Sequence, residues 1–143
     1  MVEIRMCTPE DAAAVSYLLE QLGYAVEPQG AADRIRQLGE TGDDPILLAM
    51  EDGQVLGVLA MHQSQMLQYQ APVMRVTALV VDCGARRRGI GELLMDRAER
   101  LAASAGCEFV ELTSPLGRTD AHAFYRSIGY EPNSLRFRKV LVG

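Results

Sequence analysis

Cysteines are few and scattered. Cys7, Cys83 and Cys107 are odd in number and no two form a Cys-x-x-Cys pair, which excludes a disulfide framework and a zinc signature of that type. Each reads as a small core residue or a bystander, and no metal is expected. No stretch reaches the ~18 consecutive apolar residues of a membrane span, and "MVEIRMCTPED" has no apolar signal segment. The expectation is a cytoplasmic protein without a membrane partner. Positive charge is also short: 14 Lys and Arg against 19 Asp and Glu leave a net charge of −5. Phosphate-backbone binding wants a basic face, so no nucleic-acid partner is expected, while a cationic substrate stays open. There is no internal repeat, low-complexity tract or linker. What remains is 143 residues, 48% of them hydrophobic, enough for one domain over 1–143 with a sizeable core.

Periodicity sorts the chain into ten elements. "VEIRMC" alternates as a first strand, and Thr8 caps a helix with Pro9 in its first turn and Asp11 three after the cap. Val15, Leu18, Leu19 and Leu22 share its face, and Gly23 stops it. After a loop through "GYAVEPQG", residues 31–38 predict a short helix facing inward with Ala32, Ile35 and Leu38. "PILLAMED" and "QVLGVLAMHQS" are strands joined at Asp52-Gly53, a hairpin signal. A third, "VMRVTALVVD", leads into a helix from Gly89 to Ser104 with Ile90, Leu93, Leu94, Ala98, Leu101 and Ala105 inward. "CEFVELTS" is the next strand, Asp120 to Ile128 a helix, and "SLRFRKVLV" a closing strand. The order β-α-α-β-β-β-α-β-α-β predicts an α/β domain with a mixed sheet.

The stretch "ARRRGIG", residues 85–91, sits at a strand-to-helix turn. The first N–H groups of a helix lack internal partners and lie at the positive end of its dipole, so the turn can present several donors to a phosphate. Gly89 and Gly91 permit close approach, and Arg86, Arg87 and Arg88 add charge. A solvated arginine run beside a tight turn is the plain alternative. A Walker loop needs four residues between its glycines and then Gly-Lys-Ser/Thr. A dinucleotide fingerprint needs a third glycine where Leu94 stands.

Arg86-Arg87-Arg88-Gly89-Ile90-Gly91 resembles the Arg/Gln-x-x-Gly-x-Gly/Ala pyrophosphate motif of the GNAT superfamily of N-acetyltransferases. "RTDAHAFYRSIGY", residues 118–130, resembles that family's Asn-x-x-Ala-x-x-Phe-Tyr-x-x-x-Gly-Phe segment, with Ala121, Phe124, Tyr125 and Gly129 in place and Tyr130 for the final Phe. The resemblance covers nearly the whole chain. It implies a mixed, mostly antiparallel sheet with a splayed parallel strand pair (residues 74–82 and 107–114) and helices on both faces.

It further implies transfer of an acetyl group from acetyl-CoA to an amine by direct attack. Backbone groups of Leu79, Val80 and Val81 would hold the pantetheine and polarise the thioester, worth ~3 kcal/mol for a well-aimed donor. Arg86, Arg87, Arg88, Gly89, Ile90 and Gly91 would cradle the pyrophosphate. Tyr125 would be the acid for the leaving thiolate; the same tyrosine also fits a helix face with Ala121, Phe124 and Ile128. Two departures stand out. Arg118 replaces the family's asparagine, and can contact the cofactor or simply be exposed. Met74-Arg75-Val76-Thr77 lacks the carboxylate that some relatives place there, so the base is open among Glu51, His62 and Glu111. His122 lies off the apolar face and reads as surface. The acceptor, a small-molecule or peptide amine, would lie over residues 22–34, 62–72 and 114–118. The family often dimerises, so the resemblance extends to a homodimer. The competing reading is a catalytically weak acyl-CoA-binding sensor or scaffold on the same fold.

Overall fold

The computed structural model describes every residue, Met1–Gly143. The chain divides into two compact units, Met1–Leu112 and Thr113–Gly143. In the first, β1 (Glu3–Met6), β2 (Ile46–Glu51), β3 (Gln54–Ser64), β4 (Val73–Val81) and β5 (Val110–Leu112) form one sheet in that order. The first three pairings are antiparallel and β4–β5 is parallel. Alternation along β2 and β3 supplies two apolar faces, each of which needs a covering layer. Helices α1 (Ala12–Leu22) and α2 (Pro28–Leu38) cover one: Val15, Leu18, Ala31 and Ile35 cluster with Ile46, Leu48, Val58 and Val80. Helix α3 (Ile90–Ser104) packs on the sheet as well. A Cβ added at Gly57 would stand 3.1 Å from Leu94 Cδ1 and 3.4 Å from Ile90 Cγ2, so α3 lies close on the face opposite Val58.

The expected elements recur with corrected bounds. Helix α2 starts at Pro28, within the stretch read as a loop, because proline suits a first helical turn. It buries Ala31 and Ile35, while Leu38 is exposed. In α3 the inward face runs through Ile90, Leu94, Ala98 and Ala102 with Met95 beside it, and Leu93 points outward. The register centres on i, i+4 and i+8, so Leu93 and Ala105 fall off its edge. Before α1 stands a short 3-10 turn, Pro9–Asp11. The Asp11 carboxylate accepts from the Thr8 N–H at 2.8 Å and from Arg5 at 2.7 and 2.9 Å.

Strand β4 carries an irregularity that sets its later role. Its register against β3 runs from Ala60↔Ala78 to Met61↔Val76, so Thr77 is an extra residue, a β-bulge. Parallel pairing with β5 covers only Met74–Val76, so β4 runs on from Thr77 to Val81 without that neighbour. This is the splay expected of the parallel pair.

The second unit holds α4 (Thr119–Ser127). Phe124 and Tyr125 meet edge to face with ring centres 5.3 Å apart, and Tyr125 and Tyr130 at 6.3 Å. Gly129, at φ 98°, turns the chain out of the helix. The closing strand expected in "SLRFRKVLV" does not form: residues 130–143 carry no regular structure and Leu135, Phe137 and Leu141 are exposed. Alternation specifies which side chains share a face, but a strand exists only with a hydrogen-bonded neighbour.

Candidate functional site

The site begins where β4 leaves β5 behind. Asp82 N–H donates to Leu56 O at 2.8 Å, and antiparallel pairs alternate between bonded and unbonded residues. Val80, opposite Val58, therefore turns its main-chain groups toward β3. Those of Leu79 and Val81 point to the open edge. The bulge at Thr77 produces this, because before it Met74 directs its N–H to Phe109 O of the β5 side, at 3.1 Å. One extra residue inverts the parity, so odd positions rather than even ones face outward. Of the three expected backbone contributors, Leu79 and Val81 present donors and acceptors outward, while the Val80 side chain is core.

From Val81 the chain passes through a tight turn, Cys83–Ala85, into "RRRGIG". Asp82 caps that turn, accepting from Gly84 N–H at 3.2 Å. Gln21 of α1 clamps it from the side: its amide donates to Asp82 Oδ1 at 2.8 Å and its carbonyl accepts from Cys83 N–H at 2.9 Å. Ala85 is buried and anchors the loop. Gly89 takes φ 77°, the left-handed region, and is the N-cap of α3. Arg87 also has positive φ, 64°, a conformation a non-glycine residue holds only when its surroundings enforce it. No side chain caps α3, and the first helical bond runs from Leu93 N–H to Gly89 O at 3.1 Å. The N–H groups of Ile90, Gly91 and Glu92 thus remain open at the positive end of a 15-residue helix.

The three arginines are exposed but not equivalent. Arg88 donates to Glu51 at 2.7 Å, and Glu51 also meets the Met1 amino group at 3.3 Å. The Arg88 hydrogen bond is the main reason the Glu51 carboxyl is held below its ordinary range. Neither Gln21 nor Glu51 was legible as part of this loop, because each reaches it from a distant element.

A second polar group crosses the sheet near the opposite end of β3. His62 Nδ1 lies 2.7 Å from Asp44 Oδ1, His62 is in register with Arg75, and Arg75 pairs with Glu111 at 3.6 Å. Of the sequence candidates for a base, Glu51 and Glu111 are therefore both in ion pairs with arginines.

Arg118 and Tyr125 belong to the second unit. Arg118 stands at the N-cap of α4 without capping it by its side chain, and its carbonyl accepts from His122 N–H at 3.1 Å. His122, read as surface, is half-buried with its ring Nε2 2.8 Å from Pro115 O, which pins the preceding loop. Tyr125 is half-buried; burial raises its phenol above the ordinary value, and the Arg118 charge opposes this. The phenol therefore keeps its proton across neutral pH and can donate it. Burial likewise pushes the Cys7 thiol up to about 12, which makes it inert.

The outward backbone groups of Leu79 and Val81 and the open N–H groups at the start of α3 thus lie within one stretch of chain, Leu79 to Glu92. A model of the acetyltransferase (GNAT) family matches residues 12–130. The chain is 32% identical to the aminoalkylphosphonate N-acetyltransferase of Salmonella typhimurium, covering 97% of this chain and 91% of that one. Among solved structures it is similar to a GNAT family acetyltransferase of Staphylococcus aureus, with 22% identity, TM-score 0.84 and 98% of each chain covered. It is also similar to the aminoglycoside N-acetyltransferase AAC(6')-Iy in complex with CoA, with 16% identity, TM-score 0.86, and 99% and 96% covered. At these identities the two structures speak for the fold alone. The uncapped start of α3, the bulged and splayed β4 and the family match over most of the chain agree: this protein belongs to the GNAT acetyltransferase family.

Proposed function

We propose that this protein transfers an acetyl group from acetyl-CoA to the primary amine of a small acceptor. The observation that carries the reading is the uncapped start of α3, Gly89 to Glu92, one short loop after a strand whose Leu79 and Val81 backbone groups face an open edge. These residues suit a pyrophosphate joined to a pantetheine arm. Gly89, Ile90 and Gly91 supply backbone approach and N–H groups, and Arg86 and Arg87 supply charge. Leu79 and Val81 direct backbone donors at the pantetheine and at the thioester oxygen, where negative charge develops. Tyr125 protonates the departing thiolate, a role that rests on its place in the "AHAFY" segment. Arg118 steadies the cofactor or the loop before α4.

The relative named for aminoalkylphosphonates makes small amines with an anionic group the first acceptors to try. Peptide amines and other small amines follow. The reading includes one catalytic domain over 1–143, at work in the cytoplasm as a homodimer, with no metal or nucleic-acid partner. No helix is long and apolar enough to cross a membrane. The absence of a carboxylate in Met74-Arg75-Val76-Thr77 favours one rival, a weak acyl-CoA-binding sensor. Thiol release from acetyl-CoA across a panel of aminoalkylphosphonates, amino acids, polyamines, aminoglycosides and peptides separates the two. Acceptor-dependent release supports the transferase. CoA binding with no release above the buffer rate for any amine refutes it.

A further inference from the structure

We infer that His62, held by Asp44, is the general base that deprotonates the acceptor ammonium; this rests on the transferase reading above. An alkyl ammonium with a pKa near 10.4 is almost fully protonated at pH 7, so direct attack needs a proton acceptor. Three strand residues offered themselves from the sequence. Glu51 is tied to Arg88 and to the Met1 amino group, at the hairpin end of β2. Glu111 is tied to Arg75. Their lone pairs are committed to cations, and taking a proton would break an ion pair.

His62 is differently placed. Its Nδ1 is 2.7 Å from Asp44 Oδ1. A carboxylate only accepts, so Nδ1 carries the proton and the lone pair sits on Nε2. Nε2 has no hydrogen-bond partner, and the side chain is 48% exposed. This is the orientation a base needs: one nitrogen fixed by an acceptor, the other open. The Asp44 side chain is only 17% exposed and can also accept from Thr41 Oγ1 at 3.5 Å, so the pair has its own support.

The position fits too. His62 shares its side of β3 with Val58, the side covered by α1 and α2, and stands opposite Arg75. Four residues further along β4 is Leu79, whose main-chain groups face the open edge. Four residues of strand span at most about 13 Å. His62 stands one strand, about 5 Å, further off, so its side chain, the acceptor amine and a bridging water between them span the gap. The charged groups around His62 are Asp44 beside it, Asp43 next in the chain, Arg75 across the strand and Glu111 behind Arg75.

In the step, Nε2 takes one proton from the ammonium through the bridging water and passes it to solvent. The freed lone pair of the amine forms the C–N bond as the C–S bond of the thioester breaks. The second proton lost by the nitrogen balances the one the thiolate gains, so one proton is released per amide formed.

The test uses the full chain with acetyl-CoA saturating and the best acceptor of the amine panel. His62→Gln, His62→Ala and Asp44→Asn are compared with wild type in kcat/KM for the acceptor from pH 5.5 to 9.5, with CoA affinity measured in parallel. His62→Gln is expected to lose ~100-fold at pH 7 and to regain activity as pH approaches the amine's own pKa, with CoA affinity unchanged. Added imidazole is expected to restore part of the His62→Ala loss. Asp44→Asn, which no longer fixes the Nδ1 side of the ring, is expected to lower kcat by ~10-fold or more while KM for the acceptor and CoA affinity stay within about twofold. A His62→Gln variant with wild-type rates across the whole pH range overturns the proposal. If the His62 variants fail to bind CoA, Asp44→Asn decides, and wild-type kcat there overturns it. If wild type acetylates no amine, the transferase reading fails and this inference falls with it.

Discussion

Arg88 donates to Glu51 at 2.7 Å, tying the middle of "RRRGIG" to the end of β2, 37 residues away in the chain. Its charge is already matched before any ligand arrives. Arg86 and Arg87 are exposed and carry no such partner.

The three arginines are therefore expected to separate under mutation. Arg86→Gln should raise KM for acetyl-CoA roughly 10-fold, the low end for losing a charged hydrogen bond. Arg88→Gln should raise it less than about threefold, because part of the arginine's interaction is spent on Glu51. Steady-state kinetics at low and high salt check the order. A larger effect from Arg88 than from Arg86 would show that the Glu51 pair opens on binding.

Tyr125→Phe keeps the edge-to-face contacts of the ring and removes only the hydroxyl. The expected result is a fall in kcat of ~100-fold with KM for acetyl-CoA within about twofold, since binding leans on other groups. Burial raises this phenol, so its proton is lost only above the ordinary tyrosine range. Wild-type kcat should stay level on the alkaline side until about pH 10 or beyond, and the variant should lack that late decline. Full turnover by Tyr125→Phe at every pH would remove the tyrosine from the mechanism.

Gly57 has no room for a side chain. A Cβ there would meet Leu94 Cδ1 at 3.1 Å and Val80 O at 3.3 Å. The leucine can move a little, but the carbonyl is fixed in the β3–β4 ladder. Gly57→Ala should cost ~1–3 kcal/mol by overpacking, read as a lower urea midpoint. Because Val80 lies between Leu79 and Val81, CoA affinity should fall as well. An unchanged midpoint would mean that α3 sits farther from the sheet than described.

Asp11 is lowered to about 2, first by the Arg5 hydrogen bond, with the Thr8 N–H adding to it. Its folded value lies below its unfolded one, near 3.9. The pair therefore contributes stability above pH ~4 and loses it as pH falls through 2. With Arg5 partly exposed to solvent, the contribution at neutral pH is roughly 1 kcal/mol. Asp11→Asn should be less stable than wild type at pH 7, with the gap closing between pH 4 and 2. Urea unfolding at a series of pH values measures this, and a constant gap would contradict the pairing.

Much of the fold was legible because it is local. The Asp52-Gly53 turn, the alternation of β2 and β3 and the periods of α1 and α3 depend on neighbours within a few residues. Local pattern misleads where a partner decides. "SLRFRKVLV" alternates like a strand but has no ladder, and Leu93 matches the helical period yet lies outside the buried face. Thr77 as a bulge left no trace in composition, since a bulge is a mismatch between two strands.

By itself the sequence determined the open helix start: glycines free of Cβ strain at a strand-to-helix turn, followed by a helix whose first N–H groups have no internal acceptor. It also determined the apolar periods that form the two cores. Only the tertiary structure decided which backbone groups of β4 face outward, which arginine is already paired, and which candidate bases are held in ion pairs with arginines. Gln21 with Asp82, Glu51 with Arg88 and Asp44 with His62 are 61, 37 and 18 residues apart. Local preference constrains dihedrals and period; contacts between distant side chains come only from the sheet register and helix packing that bring them together.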